Sequence, residues 1–227
     1  MKKSRVVLLI LLILIADQAL KFYIKTNFYM GQDHQVLGNW FRLHFVENEG
    51  MAWGWKFGEA GGWGKLALTV FRLIAVIFGV YYINKIIKQK QSRGFIICVS
   101  MIFAGAVGNL IDSLFYGMVF ENSDPMLQNV AKFLPSGGGY GTFLHGKVVD
   151  MLYFPIINGH FPAWMPWVGG TPFEFFSPVF NIADASISLG LIIILLFQNR
   201  FLKQHNDNNG HPTIETRTNV NDEMQVS

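Results

Sequence analysis

Cysteine is nearly missing from this chain: Cys98 is the only one among 227 residues. No intramolecular disulfide can form, and a zinc–thiolate cluster lacks its ligands. Charge is scarce as well. Only 15% of the residues are Asp, Glu, Lys or Arg, against about 25% in an ordinary soluble domain. That deficit excludes a disordered protein and a basic nucleic-acid-binding arm, so no nucleic-acid partner is expected. The chain shows no internal repeat, no Gly-x-Ser-x-Gly elbow to present a serine nucleophile, and no Gly-x-Gly-Asp motif. Its histidines stand at no ligand spacing from one another, so no metal and no cofactor are expected. What is abundant is apolar: 51% of the residues are hydrophobic and 21 are Phe. The composition points to a membrane.

Four stretches are long and apolar enough to cross the hydrocarbon as helices, which takes about 20 residues each. They run from Val6 to about Ile24, from Leu66 to Ile87, from Phe95 to Gly117 and from about Val179 to Phe197. A cleaved signal peptide is a poor reading of the first. No small-residue cleavage site follows it, and Asp17 and Lys21 interrupt its end. Lys2, Lys3, Arg5, Lys85, Lys88, Lys90, Arg93, Arg200 and Lys203 would all lie on one side of such a bundle. The connections 26–65 and 118–178 are net acidic. The positive-inside rule therefore places both termini in the cytoplasm and both long loops outside.

Alternation of apolar and polar residues over 36–57, with a Gly-bearing turn, suggests short strands on the membrane surface. Segment 118–178 is rich in Gly, Pro and aromatics, including Trp164 and Trp167, and is expected to rest on the headgroup layer. The expected architecture is thus an all-α membrane bundle of four helices over residues 1–202, with a small β-rich extracytoplasmic cradle and a long outer loop. Residues 203–227 form a polar tail, expected to be disordered.

Ionisable residues inside spans are functional candidates by default, because each costs a few kcal/mol to insert. Asp17 and Lys21 are spaced i, i+4 and share a helix face, where an ion pair satisfies itself. Asn109 and Asp112, and again Asn181 and Asp184, are spaced i, i+3 near the outer ends of spans three and four. Asp150 interrupts the apolar stretch Val148 to Phe154. All these carboxylates converge on one depth. Asn109 suits interhelical hydrogen bonding, and Ala104, Gly105 and Gly108 suit close helix approach. Asp150 and Asp184 have no basic residue at helical spacing to neutralise them. Two aspartates within about 3 Å share one proton, so one can take a proton from water while the other donates to a carbonyl oxygen. Carboxylates in a membrane also line ion pathways, so a small ion- or proton-coupled transporter is the alternative. Four spans without a repeat make a poor one.

The motifs, in their order, resemble those of the bacterial lipoprotein signal peptidases, or signal peptidase II. Asp17-Gln18-Ala19-Leu20-Lys21 is similar to the family's D-Q-x-x-K box, and Asn48-Glu49-Gly50-Met51-Ala52-Trp53-Gly54 to its N-x-G-x-A-aromatic-G box. Gly105-Ala106-Val107-Gly108-Asn109-Leu110-Ile111-Asp112 is similar to its G-x-x-G-N-L-x-D box. Val148-Val149-Asp150 and Phe180-Asn181-Ile182-Ala183-Asp184 are similar to the segments that supply its two catalytic aspartates. The resemblance implies an aspartic endopeptidase of the bacterial inner membrane, multi-pass and monomeric. It would cut signal peptides from diacylglyceryl-cysteine prolipoproteins at the outer leaflet, in contact with membrane lipid. Asp150 and Asp184 would be the dyad, and Asn109, Asp112 and Asn181 would orient dyad or substrate. Asn48 and Gly50 would belong to the outer cradle, and Asp17 and Lys21 would brace span one. Two departures stand out: the third-span box usually continues with Arg, and here with Ser113, and the stretch before Asp150 is long for the family, so that 118–146 reads as an insertion and as surface decoration.

Overall fold

The computed structural model describes residues 1–48, 63–155, 157–175 and 178–208. Four long helices dominate: α1 (Lys3–Asn27), α2 (Trp63–Lys88), α3 (Arg93–Ile111) and α5 (Ile182–Asn208). All four are long and apolar enough to span a membrane. Their outer faces stay uncovered by protein: Leu8, Phe71, Ile77 and Leu196 are each more than half exposed. Such surface is stable in lipid and would be a liability in water.

The short α2–α3 connection is closed by local chemistry. Lys90 takes a left-handed φ of 52°, and the Gln91 N–H returns to the Ile86 carbonyl at 3.1 Å, ending α2. Ser92 then caps α3, accepting from the Phe95 N–H at 3.3 Å. Beyond Ile111 the helix widens into a π turn, Asp112–Tyr116, and ends in a last short turn, α4 (Gly117–Val119).

Small residues set how near the spans come. A Cβ on Gly105 would lie 2.2 Å from the Ala183 carbonyl oxygen of α5, and one on Gly108 would lie 2.8 Å from Asp17 Oδ2 of α1. The expectation of close approach at these glycines is met: α3 packs closely against both α1 and α5.

Among the described residues there are six short strands. β1 (Asp33–Leu37), β2 (Phe41–Asn48), β3 (Val148–Tyr153) and β6 (Val179–Phe180) form an antiparallel sheet in the order β1-β2-β3-β6. β4 (Ile157–His160) and β5 (Pro172–Phe175) make a separate hairpin. The β2–β3 register places Val46 opposite Asp150 and Asn48 opposite Val148. Alternation along β3 sends Val149 and Met151 into a core with Ile24, Phe28, Phe45, Tyr116 and Phe120, and sends Asp150 to the opposite face.

Three expectations need adjusting. The fourth span opens at Ile182 rather than Val179, because Val179 and Phe180 pair with Tyr153 and Leu152 of β3. A kink at Phe197, where the span is expected to end, is followed by a further helical stretch to Asn208, and the rest of the tail lies outside the described residues. Segment 118–146 is not decoration either. Phe120, Ser123 and Ala131 are buried, the Gly146 N–H bonds the Ser113 carbonyl at 2.9 Å, and a Cβ on Gly146 would lie 1.9 Å from the Asp112 oxygen. The segment is seated on the widened turn at the end of α3.

Candidate active site

Six of the polar residues singled out in the sequence meet where α1, α3, α5 and β3 converge: Asp17, Lys21, Asn109, Asp112, Asn181 and Asp184, with Asp150 arriving on the strand. Two asparagines join the two outer aspartates. Asn181 Nδ2 donates to Asp150 Oδ1 at 2.7 Å and to Asn109 Oδ1 at 3.2 Å. Asn109 Nδ2 donates to Asp184 Oδ1 at 2.7 Å. Asn181 is held in turn as the residue preceding α5, where its Oδ1 accepts from the Asp184 N–H at 2.8 Å. That is an N-cap bond, and it puts Asp184 in the first turn, where the helix dipole attracts a carboxylate.

Behind the asparagines lies a buried ionic layer. Lys21 Nζ reaches Asp17 Oδ2 at 2.9 Å, Asp112 Oδ2 at 2.7 Å and Asn109 Oδ1 at 3.0 Å. Gln18 Nε2 donates to Asp112 Oδ1 at 2.9 Å and to Asp17 Oδ2 at 3.1 Å. Asp17 Oδ1 accepts from the Ala183 N–H of α5 at 2.9 Å. The i, i+4 pair of the sequence reading is therefore present, but it does more than brace α1. Its lysine saturates a third-span carboxylate and fixes the amide that holds Asp184. Both aspartates and the lysine are at most 1% exposed, so each charge depends on the others for solvation.

Asp150 differs from these in its surroundings. It is 3% exposed, and its nearest charged neighbour in effect is Asp184 rather than a cation. Burial first, and the Asp184 charge second, push its carboxyl up to about 7, against hydrogen bonds from Asn48 and Asn181 that pull the other way. Asn48 thus stands beside Asp150, at the end of the strand paired with β3. Gly50 lies outside the described residues.

Two groups escaped the sequence reading. Arg72 of α2 donates through Nη1 to Ser113 Oγ at 2.8 Å, so a guanidinium reaches position 113 from a different span. Lys25, fully buried, pairs with Glu47 of β2 and bonds Ser123 Oγ at 2.8 Å. It ties the outer end of α1 to the sheet and to segment 118–146. Both carried the signal already applied elsewhere, an ionisable side chain within or at the end of an apolar span.

The family model described as signal peptidase (SPase) II matches residues 9–200. A lipoprotein signal peptidase of Porphyromonas gingivalis is 48% identical over 189 residues, covering 83% of this chain and 80% of the relative. Another, from Amoebophilus asiaticus, is 36% identical over 86% of this chain and 77% of its own length. Among solved structures, a bacterial membrane enzyme determined by the in meso method at 1.9 Å resolution is similar with a TM-score of 0.55. It shares 25% identity, over 86% of this chain and 92% of that one.

Proposed function

Because the chain belongs to the signal peptidase II family, we propose that it is an aspartic endopeptidase that removes signal peptides from diacylglyceryl-cysteine prolipoproteins. The observation that carries the aspartic reading is the bridging of Asp150 and Asp184 by Asn181 and Asn109. An elevated proton affinity at Asp150 supports it, since a dyad needs one carboxyl protonated and one ionised. Water, activated by the ionised aspartate, attacks the scissile carbonyl. The protonated partner donates to the carbonyl oxygen and then the roles exchange for collapse of the tetrahedral intermediate. Because the pair titrates as a unit, base and acid are properties of the pair.

Asn109 and Asn181 hold the carboxyls, and the Lys21–Asp17–Asp112 layer holds Asn109. Asn48 steadies Asp150 from β2, and with the sheet it forms a cradle over the substrate; Gly50 serves as a substrate-orienting residue. The protein is a multi-pass enzyme of the bacterial inner membrane with both termini cytoplasmic and the site at the outer leaflet, supported by nine cations on one side of the spans. It acts as a monomer, consistent with a polar cluster drawn from one chain. Substrate acyl chains stay in lipid beside the uncovered faces of the spans. The transporter alternative finds no support among the relatives, which are signal peptidases.

The test is cleavage of a purified lipidated precursor, followed by gel shift and normalised to folded enzyme. Asp150→Asn and Asp184→Asn should each abolish turnover while still binding precursor. The double variant should be scarcely worse than either single one, because the two act together. Substantial activity in either single variant would end the aspartic reading.

A further inference from the structure

Arg72 is an arginine within a membrane span, an expensive residue to place there without a task. The side chains around it on α2 sort cleanly by face. Val70, Phe71, Leu73 and Ile74 are exposed toward the lipid side. Thr69, one turn earlier, is 1% exposed and bonds the Leu144 carbonyl at 3.1 Å. Arg72 shares the inward face with Thr69. Its anchor is a relay: Nη1 donates to Ser113 Oγ at 2.8 Å, and Ser113 donates to the Asn109 carbonyl at 2.9 Å. Ser113 is itself 1% exposed.

The charge has a direction. The relay leads to the pair: Asn109, whose carbonyl accepts from Ser113, donates through Nδ2 to Asp184 Oδ1 at 2.7 Å, and Asn181 links Asn109 to Asp150. Asp112 is already paired with Lys21 at 2.7 Å. Arg72 donates to Ser113, and among the described residues neither Asp184 nor Asp150 has an ion pair. Lys21 and Asp17 on α1 and Asp112 on α3 complete the charged groups around the pair. Lys21 is engaged by Asp17, Asp112 and Asn109, and Arg72 brings a second cation to the same end of the cluster.

We propose that Arg72 is a positioning residue for the reaction: anchored on Ser113, it supplies from α2 the positive charge that keeps the Asp150–Asp184 pair singly protonated. The proposal rests on the dyad reading above. With Arg72 in place, ionising one of the two carboxyls is compensated. Without it, the two carboxyls would hold their protons to higher pH.

The measurement is the pH profile of kcat/KM for lipidated precursor, in the full chain, for wild type, Arg72→Gln, Arg72→Lys and the exchange Arg72→Ser with Ser113→Arg. Removing the charge should move the limbs of the profile upward by about one pH unit. Arg72→Lys should return them most of the way. The exchange, which restores a guanidinium to the same contact pair, should do likewise and keeps the test decisive if Arg72→Gln does not fold. A merely structural arginine would lower activity at every pH and leave the limbs in place. Superimposable limbs in wild type and Arg72→Gln, or limbs in the exchange variant displaced as far as without the charge, would overturn the role of Arg72 alone. A wild-type profile whose limbs survive Asp150→Asn would overturn the dyad reading and the role with it.

Discussion

Lys21→Met is the sharpest perturbation of the buried layer. Methionine keeps most of the stem but deletes the charge and its three contacts, at 2.9 Å to Asp17, 2.7 Å to Asp112 and 3.0 Å to Asn109. Two carboxylates no more than 1% exposed would then face each other with only Gln18 donating to both. Breaking a buried ion pair by removing one partner costs about 3–5 kcal/mol, which is roughly 10²–10⁴ in the folded-to-unfolded ratio. Asn109 would also lose one of the two donors that orient its amide, so turnover per folded molecule should fall as well. Adding Asp112→Asn removes the charge that Lys21 left behind. The double variant should therefore be less damaged than the sum of the singles, with a coupling of about 1–3 kcal/mol. Thermal unfolding in detergent, read by tryptophan fluorescence, gives the stabilities, and precursor cleavage per folded enzyme gives the turnover. A Lys21→Met protein within about 0.5 kcal/mol of wild type, the ordinary range of a surface change, would refute the reasoning.

Other outcomes follow from the same geometry. Asp150 keeps its proton up to about 7, whereas a free aspartate loses it near 4. A raised carboxyl means the folded state binds the extra proton, so this group's contribution to stability declines as pH rises between those values and is level above them. Turnover that needs the shared proton should fall about tenfold per pH unit above about 7, and a flat profile to pH 9 would contradict the assignment. Gly105→Ala forces a methyl against the Ala183 carbonyl at 2.2 Å, a backbone atom next to Asp184. It should cost about 1–3 kcal/mol and lower turnover, whereas Gly79→Ala meets only the Phe103 ring, which can swing aside. Comparing the two melting temperatures tests this. On a Cys98→Ala background, a cysteine at exposed Asp33 should react in intact cells with a membrane-impermeant reagent, and one at Gln89 should react only after permeabilisation. Labelling at 89 in intact cells would invert the bundle.

Local sequence was enough for the four spans, because an apolar run of span length has few other stable fates. It was also enough for the spacing of Asp17 with Lys21, of Asn109 with Asp112 and of Asn181 with Asp184, because helical periodicity turns spacing into a shared face. Gly105 and Gly108 were legible as close-approach positions for the same reason. What no local pattern contains is the partner. β2 and β3 pair across some hundred residues of chain, so nothing near Asp150 announces that it stands opposite Val46, with its carboxyl on Asn181. Lys21 looked self-sufficient beside Asp17, but Asp112 and Asn109 arrive from α3. Arg72 and Lys25 are single ionisable residues in apolar surroundings, and each acquires its meaning only when another element brings Ser113 or Glu47 to it. Even the start of the fourth span was decided this way, since Val179 and Phe180 are apolar enough for a helix but are captured by β3. Hydropathy depends on what a segment contains, and this short-range information lies in the sequence itself. Which buried charge compensates which depends on contacts between segments, and those exist only once the helices and the sheet have packed.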